Sequence, residues 1–253
     1  MESSKKIDPA ERIQNALREL RASVRAYRRE TGKAASPLLS GGAPMVSIRN
    51  ELVVNSVCTA QREFLLPLVP QGGIACEVGT STGFFARAIA MFTKPAELHT
   101  IDMDYSRFKD SYFEQDSGLP APIKHEGRSW EELSKFDKYF DLIYIDAGHS
   151  YKDVTRDIEA ASKAIKPDGY LMFNDYCRWS IEQAEPYGVL AAVNDFANEN
   201  NWAVRGVALS GSGHFDILLS KNNDVMNARN KEQVEIWKTT TIEPPEKEPR
   251  RNS

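Results

Sequence analysis

Residues 74–83 read Ile74-Ala75-Cys76-Glu77-Val78-Gly79-Thr80-Ser81-Thr82-Gly83. A short apolar run ends in an acidic residue, turns through glycine, and passes directly into a helical stretch around 83–92. In an open α/β sheet, the loop after the first strand forms the ligand crevice. Gly79 allows the chain to turn tightly there, and Gly83 allows a ligand or helix to come close to the backbone. The third glycine of the dinucleotide pattern G-x-G-x-x-G is missing, which argues against a pyrophosphate ligand. Glu77, at the strand end, suits a cationic amino-acid group.

Working outward, further apolar runs follow at regular spacing: LHTIDM, PIKHEG, FDLIYID and YLMFND. Helical patterns around 105–115, 130–136 and 151–165 lie between them. Such alternation predicts a doubly wound, mostly parallel sheet covered by helices on both faces, an α/β fold of Rossmann type. A helix around 188–199 leads to WAVRGVAL and HFDILLSK, joined through Ser210-Gly211-Ser212-Gly213. Those two runs read as an antiparallel hairpin at the sheet edge, giving seven strands in all.

The N-terminal part is read as helical. Asp8 can cap a first helix with Pro9 at its first position and Glu11 in its first turn. Ile13, Leu17, Leu20, Val24 and Tyr27 form one face, and Arg12, Arg18, Arg21, Arg25, Arg28 and Arg29 the other. Thr31 to Pro44 reads as a linker, and a second helix is expected over 48–66, stopped by Pro67. The expected organisation is an N-terminal helical extension over 1–70, a ligand-binding domain over 71–222, and a C-terminal helix (224–237) with a disordered tail over 223–253. The extension is expected to serve as a lid or as a homodimer contact.

Composition narrows the function. A net charge of −4 among 253 residues argues against a dedicated nucleic-acid binder. Cys58, Cys76 and Cys177 are too few and too scattered for a disulfide framework, so a cytoplasmic setting is expected. No apolar run reaches the ~20 residues that cross a bilayer, and no signal-peptide pattern is visible, so no membrane partner is expected.

The E-x-G-x-x-x-G loop resembles motif I of class I S-adenosylmethionine-dependent methyltransferases. The residue-level alternative is a generic glycine turn with an acidic strand end. The resemblance implies that Glu77, Gly79, Thr80 and Gly83 bind S-adenosylmethionine, a sulfonium without phosphates. Asp102 ends the next strand about 20 residues on, where an acidic side chain can accept both ribose hydroxyls. Ser129, in Gly127-Arg128-Ser129-Trp130, matches the segment that contacts adenine in related enzymes. Ser129 and Glu132 also make a capping-box pattern, and Trp130 fits either a pocket wall or ordinary packing.

FDLIYID and YLMFND end in Asp146 and Asp175, which parallel neighbour strands would bring to one sheet edge. Both carboxylates are candidates for catalysis and for holding Mg²⁺, with Asp146 also a candidate cofactor contact. His149, with an unperturbed pKa of about 6.5, is the candidate general base. Asp146-x-x-His149-x-Tyr151 is similar to a motif of bacterial sugar- and antibiotic-tailoring O-methyltransferases. Ala147-Gly148 departs from that group, and Tyr176 stands where catechol-type enzymes have a third metal ligand. Tyr176, Arg178, Trp179 and Tyr187 are candidate acceptor-pocket residues. Asp153 is expected to cap a helix opposite Ser150, Asp157 to lie on a solvated helix face, His99 in the interior, and His125 and His214 at the surface or strand ends. The resemblance implies methyl transfer to a small-molecule acceptor, an oxygen first and a nitrogen as the alternative. A nucleotide oxidoreductase and a non-catalytic nucleoside-binding protein are the rival classes.

Overall fold

The computed structural model describes residues 8–114 and 118–221. Helix α1 (Pro9–Thr31) forms as expected: Asp8 caps it, Pro9 opens it, and Gly32 ends it in the left-handed conformation. None of its residues is buried. The second expected helix, over 48–66, is not formed. Its residues instead make a short 3₁₀ turn (Asn50–Leu52), strand β1 (Val57–Thr59) and a longer 3₁₀ segment (Arg62–Leu68). Val53, Val54, Val57 and Thr59 lower helix propensity there, and Pro67 cannot donate to a continuing α-helix.

The domain proper starts with β2 (Ile74–Val78), followed by α2 (Phe84–Thr93) and β3 (Glu97–Asp102). Only α3 (Ser111–Glu114) is helical within the described part of 105–115, preceded by turns that Asp104 stabilises through Ser106. Then come β4 (Ile123–Glu126), α4 (Ser129–Leu133), β5 (Phe140–Ile145), α5 (Tyr151–Ala164) and β6 (Ile165–Phe173). The Lys166–Gly169 turn is absorbed into β6 as an irregularity in its register with β5. A small ribbon, β7 (Trp179–Ser180) with β8 (Glu185–Pro186), precedes α6 (Val189–Asn200), β9 (Ala203–Ala208) and β10 (Asp216–Ser220).

The main sheet runs β1-β9-β10-β6-β5-β2-β3-β4, with β10 alone antiparallel to its neighbours. The fold class is as expected, with eight strands rather than seven. The added strand, β1, pairs parallel with β9 and covers the edge that the hairpin was expected to form. Three residues of Val-Cys-Thr are too short a run to register as a strand in the sequence. Apolar clusters fill both sides of the sheet. Ile143, Phe173, Ile158 and Val193 lie on one face, and Leu142, Tyr144, Phe85 and Ile89 on the other. Strand order reverses between β2 and β5, the switch point at which open sheets bind ligands. The C-terminal helix and tail expected over 223–253 lie outside the described residues.

Candidate active site

At the switch point the backbone of Gly79 (φ +81°) crosses under the end of β5. Any side chain there would meet the main-chain oxygen of Asp146, so the turn demands glycine for space as well as conformation. Gly83 (φ +79°) opens α2 against the Phe108 ring. Glu77 is buried, and its carboxylate accepts a hydrogen bond from the Thr80 hydroxyl. Burial pushes Glu77 up to about 8, only partly offset by Thr80. A cation brought beside it would restore its charge. Asp102 is fixed by the loop itself: Ser81 N donates to Oδ2 (2.7 Å) and Asp104 N to Oδ1 (3.1 Å).

Gly79, Asp102, Ser129 and Trp130 line one cavity of about 370 Å³, together with Ala147, Gly148 and Asp157. Three of the expected nucleoside contacts thus share one concave space with a tryptophan wall; the other four, Glu77, Thr80, Gly83 and Asp146, do not line it. Two sequence readings are corrected here. The capping box is not formed, because Arg128 is the N-cap of α4 and makes no side-chain cap bond. Ser129 instead donates its hydroxyl to Asp157 Oδ1 at 2.5 Å. Asp157 is therefore not solvated: it is 1% exposed, because α4 packs over that face of α5. Burial raises it to about 6, with Ser129 opposing. Asp153 behaves as expected, since Ser150 caps α5 and accepts from Asp153 N.

A second cavity, about 420 Å³, is lined by Arg62, Glu63, Asn174, Asp175, His214 and Asp216, with 60–61, Ser210 and Ser212 at its margin. Between the two stands the loop after β5. His149 Nε2 lies 3.2 Å from Asp175 Oδ2 and 3.9 Å from Asp146 Oδ1. Tyr187 stacks on the imidazole with ring centres 4.3 Å apart, and Gly188 N donates to the His149 carbonyl. Burial pulls the His149 imidazole down, but Asp146 and Asp175 outweigh it and leave it above its ordinary value. Asp175 adopts a left-handed backbone (φ +53°), an uncommon conformation for a non-glycine residue just past a strand end. Burial raises its carboxyl, against the lowering influence of His149 and His214.

The structure therefore brings Asp146, His149 and Asp175 together, and one ligand atom from each lies within 4.8 Å of the others. Three residues that the sequence reading missed join them. His214 Nδ1 lies 3.1 Å from Asp175 Oδ1. Arg62 donates to the Tyr144 hydroxyl (2.7 Å) and faces Asp146 Oδ2 at 3.8 Å. Asp216 accepts from Tyr144 (3.2 Å) and Asn174 (3.0 Å). The four acceptor-pocket candidates do not line this cavity. Tyr176 donates to Asn194, Arg178 to the Pro44 carbonyl, Trp179 sits in β7, and Tyr187 supports His149. Asn174 turns away from the His149 cluster, as expected, toward Asp216.

Residues 76–176 match the family model described as a methyltransferase domain. That segment runs from β2 to the residue after Asp175 and so contains both the Glu77–Gly83 loop and the Asp146–His149–Asp175 group. No curated protein sequence matches the chain. Among solved structures, spermidine synthase from Thermotoga maritima aligns with 18% identity and a TM-score of 0.48, over 66% of this chain and 59% of its own. This chain thus spans less than two thirds of that enzyme. The O-methyltransferase TomG from Streptomyces achromogenes, in complex with S-adenosylmethionine, aligns with 19% identity and a TM-score of 0.48, over 63% and 78%. A SAM-dependent methyltransferase from Aquifex aeolicus aligns with 17% identity and a TM-score of 0.44, over 63% and 93%.

Proposed function

We propose that the protein transfers a methyl group from S-adenosylmethionine to a hydroxyl of a small molecule, with His149 as general base. The observation that carries the reading is the position of His149 against Asp146 and Asp175, on the loop between two cavities that share no lining residue. The first cavity would take the nucleoside, with Asp102 accepting from the ribose and Trp130 flanking the base. When bound, S-adenosylmethionine supplies an electrophilic methyl group on sulfur. The acceptor would enter from the second cavity. The neutral imidazole takes the hydroxyl proton as the O–CH₃ bond forms and the S–CH₃ bond breaks, and Asp146 and Asp175 stabilise the imidazolium. Positioning carries much of the rate, because the methyl group is already activated. His149→Ala should lower turnover at least about tenfold with little change in S-adenosylhomocysteine affinity. Equal loss of both would assign His149 a structural role.

The carboxylates of Glu63, Asp175 and Asp216 on the second cavity favour an alternative acceptor, a small amine. Matched hydroxyl and amine acceptors, assayed by product mass, separate the two. The Asp146–His149–Asp175 group also fits a divalent ion, with Mg²⁺ drawing on the two carboxylates and the ring nitrogen suiting softer ions. Such an ion would polarise the acceptor oxygen. Turnover abolished by EDTA and restored by Mg²⁺ or Mn²⁺ supports that role, and turnover indifferent to EDTA removes it. A cytoplasmic setting is proposed on the sparse, unpaired cysteines Cys58, Cys76 and Cys177; among the described residues no helix is long and apolar enough to cross a membrane. The N-terminal extension is assigned to a lid or homodimer contact, and no nucleic-acid partner is assigned.

A further inference from the structure

Helix α1 is the longest among the described residues, yet none of its side chains is buried. Ile13 is 64% exposed, Leu17 49% and Leu20 41%, while Val24 and Tyr27 are half-buried. No α1 residue lines either cavity, so in this conformation the helix neither fills the core nor closes the site. Its apolar positions follow a strict order. From Ala10 the steps to Ile13, Leu17, Leu20, Val24 and Tyr27 are three, four, three, four and three residues. This is the a/d repeat of a helix that packs on another helix, and it holds over three heptads, residues 10–30. A helix lying on a domain core carries a wider apolar stripe. One on an anionic bilayer favours an unbroken basic face, whereas Glu11, Glu19 and Glu30 interrupt the arginines here.

We propose that this stripe is the seam of a homodimer in which the α1 helices of two copies pair antiparallel. A two-fold pair needs a self-complementary surface, and antiparallel pairing supplies one. Leu17 then faces the partner's Leu20, Ile13 the partner's Val24, and Ala10 the partner's Tyr27, so that the largest side chain meets the smallest. The ends agree in charge as well. Glu11 comes beside the partner's Arg25 and the partner's Arg28, whereas a parallel pair would gather both copies' Arg25, Arg28 and Arg29 at one end. The overlap of residues 10–27 is about 26 Å long, which makes a small interface with affinity in the micromolar range. The pairing is independent of the methyl-transfer reading, and it makes the N-terminal extension a dimer contact rather than a lid.

Sedimentation equilibrium of the full chain, up to about 300 μM, should show a monomer–dimer equilibrium. The dimer should persist in about 0.5 M NaCl, which screens surface charge but leaves an apolar seam intact. Leu20→Lys keeps a good helix former and sets a charge in the seam, so it should weaken dimerisation at least about tenfold. Its melting curve in dilute solution should match wild type, because α1 buries nothing against the domain. Direction is read by cross-linking in a Cys58→Ser background, which removes the exposed thiol. Mild oxidation should link Ile13→Cys chains to Val24→Cys chains in a mixture, and neither variant to itself. A chain that stays monomeric, a dimer that dissolves in salt, or one that survives Leu20→Lys overturns the proposal. Self-linking of either cysteine variant overturns the antiparallel seam, and binding of monomers to phosphatidylserine vesicles would give the face to a membrane instead.

Discussion

The α-carbon of Gly79 faces the main-chain oxygen of Asp146 so closely that a Cβ added to it would lie 1.8 Å from that oxygen. Two strand ends are thereby locked edge to edge, and Asp146 N completes the link by donating to the Val78 carbonyl. Gly79→Ala must push the β5 loop outward and strain a positive φ. It should cost about 2–4 kcal/mol in urea unfolding and weaken S-adenosylhomocysteine binding more than tenfold. Wild-type affinity in this variant would show that the crossing is not part of the binding site.

Burial pulls the His149 imidazole down, but Asp146 and Asp175 outweigh it and hold it above its ordinary value. A base must be neutral to act, so kcat/KM should rise with pH through an acidic limb centred above about 6.5. Asp175→Asn removes one of the charges that favour the imidazolium. The limb should then move to lower pH, while the maximum rate drops. A limb that stays put would exclude His149 as the titrating base.

Glu77 offers a test in the opposite direction. Its folded pKa of about 8 lies above the ordinary 4.5, so the cost of burying the carboxyl is absent below pH 4.5 and grows as pH rises toward 8. Glu77→Gln should stabilise the ligand-free protein at pH 7 by on the order of 2 kcal/mol, and by almost nothing at pH 4. The same change should weaken S-adenosylhomocysteine binding, which isothermal calorimetry would read. Equal stability of both proteins at pH 7 would show that Glu77 is better solvated than its burial implies.

The strand-end acids were legible because parallel strands all finish at the same edge. Glu77, Asp102, Asp146 and Asp175 each close an apolar run, and the loop glycines mark where the chain must turn. His214 escaped that logic. β10 runs antiparallel to its neighbours, so its beginning, not its end, reaches the site, and a histidine before a strand carries no such signal. Arg62 was hidden by reading 48–66 as an amphipathic helix, when Ser56 and Thr59 begin a turn-and-strand segment. Asp157 shares the polar spacing of a solvated helix face, and only the tertiary packing of α4 on α5 decides otherwise.

Helix α1 leaves Ile13, Leu17 and Leu20 exposed and buries none of its residues. Removing residues 1–32 should therefore shift Tm by no more than about 2 °C, since few buried contacts are lost. Sedimentation of the full and shortened chains would reveal whether the helix pairs two copies. A drop in Tm that depends on protein concentration in the full chain alone would support the dimer contact.

Each of the two cavities draws on a different part of the chain. Positions 79, 101–103, 127–130, 147–148, 153 and 157 line one, whereas 60–63, 174–175, 210, 212, 214 and 216 line the other. On the proposed reading, exchanging residues 60–61, 210 and 212 while keeping Arg62 and His214, which face Asp146 and Asp175, should change which acceptors are taken and leave S-adenosylhomocysteine affinity unchanged. The scaffold is, in that sense, a holder with an interchangeable jaw.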